Sequence, residues 1–185
     1  MTDRRRRAAD RDALPFAATA LGAVYEAIGP LPVSVLLDDV RSLYNVGAFF
    51  RTADAVGLER LYLAGITGRP PSRQITKTAL GAEDAVPWEG VSDAVATVEC
   101  LRERGHEVAV VETGLRAVDL FDWQPAFPVC VVFGHEVEGV RAALVQRADT
   151  IVRIPMRGRK HSLNVATAGG VVLYEVLRKY RARSA

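Results

Sequence analysis

Side chains that could bind and activate a substrate cluster in three short stretches, far apart in the 185-residue chain. Residues 45–54 contain an asparagine and an arginine six positions apart. Residues 133–139 place a histidine and a glutamate between two glycines. Residues 154–165 carry several basic residues followed by Ser-Leu-Asn. No single stretch identifies a reaction, but together they have the composition of one site.

Regular elements must bring these stretches together. Short apolar runs alternate with amphipathic segments from residue 33 onward, which predicts an α/β fold with a mostly parallel sheet flanked by helices. We predict strands near residues 33–37, 61–64, 107–111, 129–133 and 150–154. We predict helices near residues 44–56, 74–80, 91–104, 140–146 and 163–181. Ligands of such sheets bind outside the carboxyl ends of the strands, where the second stretch would lie.

The pattern also predicts the organisation of the chain. Residues 1–32 read as a basic tail plus a helix over residues 12–28, and residues 33–185 as one domain. No apolar run reaches the roughly 20 residues that a membrane span needs, so no membrane association is expected. Two cysteines in apolar contexts, Cys100 and Cys130, predict reduced core thiols and a cytoplasmic protein.

Basic residues are concentrated in three places, although the net charge of +2 is too small to indicate a nucleic-acid partner. The clusters lie at residues 4–7, 153–160 and 178–183. Such local patches can attract the phosphates of RNA, whereas the first could equally be a solvated tail. In the second cluster, Arg157, Arg159 and Lys160 repel one another unless solvent or an anionic partner relieves them.

Each stretch also has a purely structural interpretation. Asn45 is placed to cap the predicted helix, and Arg51 could be a solvated arginine paired with Asp54. Alternatively, the small residues around Arg51 leave space for a substrate; they are Gly47, Ala48 and Ala55. Glu136 could simply accept hydrogen bonds from loop amides, and Ser162 is placed to cap the last helix.

Other chemistries lack their signatures. The residue four positions after His135 is Gly139, so the His-Glu pair does not form a zinc-protease motif. The cysteines and histidines do not have zinc-ligand spacing, and we expect no metal. The chain has neither a Walker-type phosphate loop nor a GxGxxG turn after a strand. Nucleotide hydrolysis and ordinary dinucleotide binding therefore lose support.

The three stretches resemble, in order and spacing, the signature motifs of the SpoU-type (TrmH-like) RNA ribose 2′-O-methyltransferases of the SPOUT class. The first motif matches at Asn45, Gly47, Arg51, Thr52 and Ala53. The second matches at Gly134, Glu136 and Gly139. The third matches at Ile154, Pro155, Met156, Gly158, Ser162, Leu163, Asn164 and Val165. The similarity covers roughly residues 33–181, and His135 departs from it where asparagine is frequent.

The resemblance implies a parallel α/β sheet with a C-terminal deep trefoil knot, a topology that general rules would not predict. It implies S-adenosylmethionine as cofactor, held among the knot loops, and a homodimer. The positions that correspond to cofactor contacts are Val111, Gly134, Ile154, Ser162 and Leu163.

The implied reaction is methyl transfer to a ribose 2′-hydroxyl of transfer or ribosomal RNA. The positions that correspond to catalytic residues are Arg51, Asn45, Glu136, Ser162 and Asn164. Those expected to contact RNA are Arg51, Arg157, Arg159 and Lys160. Because a guanidinium is not deprotonated in proteins, Arg51 would stabilise the developing alkoxide rather than accept its proton. The alternative is a catalytically inactive RNA-binding protein of the same fold.

Overall fold

The computed structural model describes residues 30–114 and 116–183, within which seven strands form one sheet. The strands are β1 (Leu31–Asp38), β2 (Leu58–Ala64), β3 (Trp88–Val91), β4 (Glu107–Val111), β5 (Val118–Asp119), β6 (Val129–Phe133) and β7 (Thr150–Arg153). They are all parallel and follow the order β3-β2-β1-β6-β4-β7-β5. The prediction of a parallel α/β sheet is therefore confirmed. The N-terminal arginine cluster and the helix predicted over residues 12–28 lie outside the described residues.

Helices connect the strands at the predicted places. They are α1 (Leu43–Val56), α2 (Arg73–Ala79), α3 (Ala94–Glu103), α4 (Ala142–Val145) and α5 (Val165–Arg183), with a 3-10 turn at Ala82–Asp84. The helix predicted to start at residue 91 begins three residues later, because the Asp93 carboxylate accepts hydrogen bonds from the first-turn amides. Strands β3 and β5, at the two edges of the sheet, were not predicted.

Alternate residues of the central strands face two separate hydrophobic layers. On one side, Val35 and Leu37 of β1 pack with Phe49 of α1 and the inner face of α5. On the other, Leu36 packs with residues of α3 and α4. Strands β1 and β6 are almost wholly buried, as expected for a parallel sheet covered on both faces. The Phe49 and Phe133 rings, 5.0 Å apart between centroids, join α1 to the carboxyl end of β6.

Helix α1 is held between two neighbours by close contacts at glycines. A Cβ atom on Gly47 would lie 2.0 Å from Thr78 Oγ1 and 2.5 Å from the Ile75 carbonyl oxygen of α2. A Cβ atom on Gly169 of α5 would lie 2.3 Å from the Phe49 ring. Gly47 is therefore packed against α2, and the interpretation that it leaves space beside Arg51 is wrong for this residue.

Two residues of the C-terminal basic cluster are engaged in the fold. The Lys179 side chain is 6% exposed, and its ammonium group donates hydrogen bonds to the carbonyl oxygens of Leu120, Phe121 and Trp123. Arg178 pairs with Glu175 at 2.7 Å. Neither is therefore a free cation for an RNA phosphate. Lys179 instead anchors α5 to the connection between β5 and β6.

The two cysteines differ in environment. Cys130 is wholly buried in β6, and burial raises the pKa of its thiol to about 12. Cys100 is exposed on α3, so the prediction of a core thiol is wrong for this residue. Both are free thiols. None of the helices in the described ranges combines the length and apolar character needed to cross a membrane.

Replacing Lys179 by methionine should lower the free energy of unfolding by about 1–3 kcal/mol, because buried carbonyl oxygens would lose their donor. Urea denaturation would measure the change. The matched control is Arg178→Met, one position earlier on the exposed face, which should shift the midpoint little. Equal losses in both variants would contradict an anchoring role for Lys179.

Candidate active site

The three polar stretches converge at the carboxyl edge of the sheet. Helix α1 follows β1, the loop over residues 134–140 follows β6, and the loop over residues 154–164 follows β7. In a parallel sheet these connections all leave the same edge. The side chains predicted from distant parts of the sequence can therefore meet there.

Glu136 joins the second stretch to the start of α1. Its carboxylate accepts hydrogen bonds from the backbone amides of Arg41 (3.1 Å) and Ser42 (2.9 Å), and from Asn45 Nδ2 (2.9 Å). Burial, the largest single influence, raises the pKa of this carboxyl, but the three donors together lower it below its ordinary value. The geometry matches the interpretation of Glu136 as an acceptor of loop amides, and a carboxylate so occupied is a poor general base.

Asn45 extends this connection to the third stretch. Its Oδ1 accepts a hydrogen bond from Asn164 Nδ2 at 3.2 Å, while its Nδ2 is committed to Glu136. Asn164 Oδ1 in turn accepts from the backbone amides of Ala166 (3.0 Å) and Thr167 (3.3 Å). We call the chain of Glu136, Asn45 and Asn164 the amide relay. It links three segments that are up to 119 positions apart in sequence.

The residues that cap α1 and α5 differ from the predicted ones. Ser42, rather than Asn45, caps α1, with its Oγ accepting from the Asn45 amide at 3.4 Å. Asn164, rather than Ser162, caps α5, which begins at Val165. The Asn45 prediction was wrong because this side chain bonds to Glu136 instead, and the Ser162 prediction was wrong because the helix begins two residues later than expected.

The loop over residues 134–140 folds back on itself. His135 and Gly139 exchange two backbone hydrogen bonds of 3.0 and 2.9 Å. Gly139 has a φ of 74°, which side chains of L residues rarely adopt. A Cβ atom on Gly134 would lie 2.3 Å from the Gly139 carbonyl oxygen. Glycine is thus required at both motif positions by the shape of the loop itself.

The His135 side chain accepts hydrogen bonds from backbone amides of the same loop. Its Nδ1 atom accepts hydrogen bonds from the amides of Val137 and Glu138, both at 3.1 Å. An asparagine side-chain oxygen makes the same contacts with amides two and three positions ahead. At this departure from the family pattern, the imidazole Nδ1 serves as the acceptor that an asparagine oxygen could also supply.

Four charged residues that were not predicted as site residues anchor this loop. Glu112, after β4, accepts a hydrogen bond from the Val140 amide at 3.0 Å. Arg141 donates to the buried Asp38 and to Asp39, both at 2.7 Å, at the carboxyl end of β1. The Asp38-Asp39 pair directly after an apolar strand was the one available signal, since buried carboxylates need a cationic partner.

A cavity of about 560 Å³ lies among the segments that follow β4, β6 and β7. All five positions expected to contact a cofactor line it: Val111, Gly134, Ile154, Ser162 and Leu163. Glu136 and Asn164 also contribute to its wall. Its volume lies in the range of small-molecule sites, and its mixture of aliphatic side chains with exposed loop backbone suits a ligand that has both apolar and polar parts.

A second cavity of about 380 Å³ adjoins the first. The two share the wall formed by residues 135–137, and the second is also lined by Asn45 and Arg41. A small molecule in the first cavity and a polymer chain in the second would therefore be close neighbours across Glu136.

The four predicted cationic residues are exposed, and none of them lines either cavity. Arg51 lies on the outer face of α1, and its side chain makes no hydrogen bond or ion pair with residues 30–114 or 116–183, so the alternative pairing with Asp54 is not observed. Arg157, Arg159 and Lys160 are exposed on the loop that encloses the first cavity, but they do not line it. All four cations are thus available to an external anion.

The family comparison agrees with the site. The sequence profile of the SpoU rRNA Methylase family matches residues 32–174, which include all three motifs. The chain therefore belongs to this family.

Individual relatives support the same conclusion. The chain is 37% identical over 159 residues to the 23S rRNA (guanosine-2′-O-)-methyltransferase RlmB of Pseudomonas syringae, covering 84% of this chain and 61% of the relative. It resembles the AdoMet-bound rRNA methyltransferase of Sinorhizobium meliloti (TM-score 0.74, 31% identity, 81% and 60% coverage). It also resembles the A. aeolicus TrmH/SpoU tRNA modifying enzyme (TM-score 0.78, 28% identity, 90% and 85% coverage). The chain spans about three-fifths of the length of the RlmB relatives that it matches.

The expectation that the site uses no metal stays a prediction. In the described part of the chain, no group of three or more histidine, cysteine or carboxylate side chains is arranged to hold a metal ion.

The stability that Glu136 contributes should depend on pH. A carboxyl whose pKa is lowered by folding stabilises the protein above its unfolded pKa, and this contribution is lost as the pH falls through the folded value. Urea denaturation of the wild type and Glu136→Gln should therefore differ most near pH 7, and the difference should shrink as the pH falls below the ordinary range of a glutamate carboxyl and through the lowered folded pKa. A difference that does not change with pH would contradict the ionised role of Glu136.

Substitutions of His135 should separate its acceptor atom from its bulk. His135→Asn supplies an equivalent acceptor, so amide hydrogen exchange at Val137 and Glu138 should stay close to that of the wild type. His135→Leu removes the acceptor, and exchange at both amides should accelerate about tenfold, the equivalent of one lost hydrogen bond. Unchanged exchange in His135→Leu would show that the imidazole does not organise the loop.

Proposed function

We propose that this protein transfers a methyl group from S-adenosylmethionine to a ribose 2′-hydroxyl of RNA. The observation that carries the proposal is the convergence of the three motifs. The amide relay joins one residue from each, and the five positions expected to contact the cofactor line a single cavity. A relative and a structural neighbour that bear the names of a guanosine-2′-O-methyltransferase and an AdoMet-bound rRNA methyltransferase support the same reaction.

The 560 Å³ cavity is the proposed cofactor site. When bound there, S-adenosylmethionine supplies a methyl group already activated on a sulfonium. Val111, Ile154 and Leu163 would provide apolar walls, and the close turn at Gly134 would let the ligand reach the loop backbone. Ser162 is exposed in the same wall and can donate a hydrogen bond from its hydroxyl.

Arg51 would act on the RNA. Its guanidinium has no partner among the described residues and stays charged, so it can stabilise the developing alkoxide and an adjacent phosphate. Asn45, Glu136 and Asn164 would act as positioning residues, because their polar atoms are committed to one another and to backbone amides. Arg157, Arg159 and Lys160 would bind phosphates of the RNA beside the cofactor cavity.

The proposal includes the trefoil knot of the SPOUT class. Strand β7 lies between β4 and β5, so the connection from β4 to β5 has to cross the carboxyl end of β7. The chain leaving β7 then continues to α5, which packs against α1 on the far side of β4 and β6. Lys179 of α5 donates hydrogen bonds to residues in the connection after β5. This contact supports a path of the chain from β7 to α5 through the loop that the preceding residues form.

We also propose a homodimer, and an N-terminal appendage to one catalytic domain, for which the sequence predicted a boundary after residue 32. The α5 surface carries Val171 and Tyr174, which are 37% and 54% exposed. Exposed apolar side chains on the outer face of a long helix support its use as a subunit interface. The first strand begins at Leu31, so the boundary between the two parts falls just before it.

The decisive experiment is a methylation assay with S-adenosylmethionine and separate unmodified tRNA and rRNA fractions. Nucleosides from the digested RNA would be analysed by mass spectrometry. We expect a 2′-O-methylnucleoside in one fraction with the wild type. Arg51→Ala should lower kcat by about 100-fold or more, because a preorganised cation at the developing charge is lost. Its affinity for the cofactor, measured by calorimetry, should stay unchanged.

Two controls make the result specific. Arg51→Lys keeps the charge but loses the planar fork, so its activity should fall between those of the wild type and Arg51→Ala. Arg104→Ala removes an exposed arginine next to the amino end of β4, opposite the site, and should leave the rate unchanged. RNA binding without cofactor binding or product would instead identify an inactive RNA-binding protein of this fold.

A further inference from the structure

An exposed aromatic ring stands beside the first motif. Tyr44, the residue before Asn45, is 49% exposed on α1. The ammonium group of Lys77 lies 6.0 Å from the centroid of its ring. Tyr44, Arg73 and Lys77 contribute to a cavity of about 550 Å³ that has no acidic residue in its lining. We call this group the Tyr44 surface.

The Tyr44 surface and Arg51 share one face of α1. Tyr44 lies seven residues before Arg51, which is two helical turns, so both side chains leave the helix in the same direction. The distance along the helix axis is about 10 Å. Between them lies Ala48, whose small side chain does not obstruct that face. A polymer that reaches Arg51 along α1 would therefore pass over Tyr44.

Helix α2 is fixed in place beside Tyr44. Thr78 Oγ1 lies 3.2 Å from the carbonyl oxygen of Tyr44 and donates a hydrogen bond to it, and α2 packs directly on Gly47. Lys77 and Arg73 are thus carried on a helix that cannot shift relative to α1 without breaking these contacts. A binding surface on such rigid elements needs little rearrangement when a ligand binds.

The charges of this surface favour a polyanion. Neither Arg73 nor Lys77 forms an ion pair with the part of the chain that the structure describes. Arg41, two residues before α1, is a further exposed cation, and it lines the 380 Å³ cavity. An accessible aromatic ring among cations is the combination that binds an unpaired base by stacking while its phosphates are neutralised.

We propose that the Tyr44 surface binds a nucleotide adjoining the one that is methylated. The inference rests on the proposed function, since it assigns the RNA strand a path along α1 toward Arg51. The Tyr44 ring stacks on the base, and Lys77 and Arg73 neutralise the flanking phosphates. Because stacking is tolerant of sequence, this subsite fixes the position of the strand without choosing its bases.

The test uses a 12-nucleotide RNA of mixed sequence that contains one 2-aminopurine, at fixed low salt. Fluorescence anisotropy reports its affinity, and quenching of 2-aminopurine reports stacking. Tyr44→Ala should weaken binding about five- to 100-fold and abolish the quenching. Tyr44→Phe keeps the ring and should bind and quench like the wild type. Lys77→Gln should weaken binding and reduce its dependence on salt.

The matched aromatic control is Phe121→Ala, because Phe121 is 58% exposed and lies in the connection after β5, away from α1. It should change neither signal. Cofactor binding by calorimetry should be equal in every variant, which shows that the fold and the cofactor cavity are intact.

Each contrary outcome has a distinct meaning. Wild type and Tyr44→Ala binding the RNA equally well would overturn the inference and leave the proposed function standing. A wild type that binds the cofactor but no RNA, and yields no methylated product, would overturn both. A change of oligomeric state in Tyr44→Ala, measured by sedimentation, would also overturn the inference. Tyr44 would then belong to an interface with a second copy of the chain.

Discussion

The carboxylate of Glu136 is the interaction on which the geometry of the site depends. It holds two backbone amides at the start of α1 and one hydrogen of the Asn45 amide, so the loop after β6 and the helix after β1 cannot move independently. The other end of the Asn45 amide is tied to Asn164, the cap of α5. The direction of α1, and therefore the position of Arg51, is thus set by contacts with two distant loops.

Other charged groups brace the same edge of the sheet in a similar way. Arg141 bridges the Asp38-Asp39 pair, and Glu112 holds the amide that follows Gly139. A charge that is buried without hydrogen bonds is costly, so each of these pairings resists any displacement that would break it. The loops around the cavity are therefore supported by satisfied charges as well as by glycine-dependent turns.

Local patterns in the sequence predicted most of the architecture but not the contacts of its polar groups. Buried strands such as β1 and β6, and the helix carrying Phe49 and Phe50, were recognisable because apolar periodicity is a local property. Strands β3 and β5 were not, since two to four residues at a sheet edge become a strand only through their neighbour. The caps failed for a related reason: Asn45 is bonded to a carboxylate 91 positions away, and no local rule contains that partner.

Some polar side chains of the site are hydrogen-bonded within the protein, whereas others have no partner among the described residues. This difference indicates which of them can act on a substrate. Asn45 and Glu136 already make side-chain hydrogen bonds within the protein, and these bonds hold both groups in place. The Arg51 side chain makes no such bond, yet it stands on a helix whose start is held by those same bonds. A cation held in place before the substrate arrives avoids the reorganisation that water would require, and this is the condition under which electrostatic stabilisation is most effective. In the proposed reaction, the amide relay would contribute by holding the start of the helix that carries Arg51 before the substrate arrives.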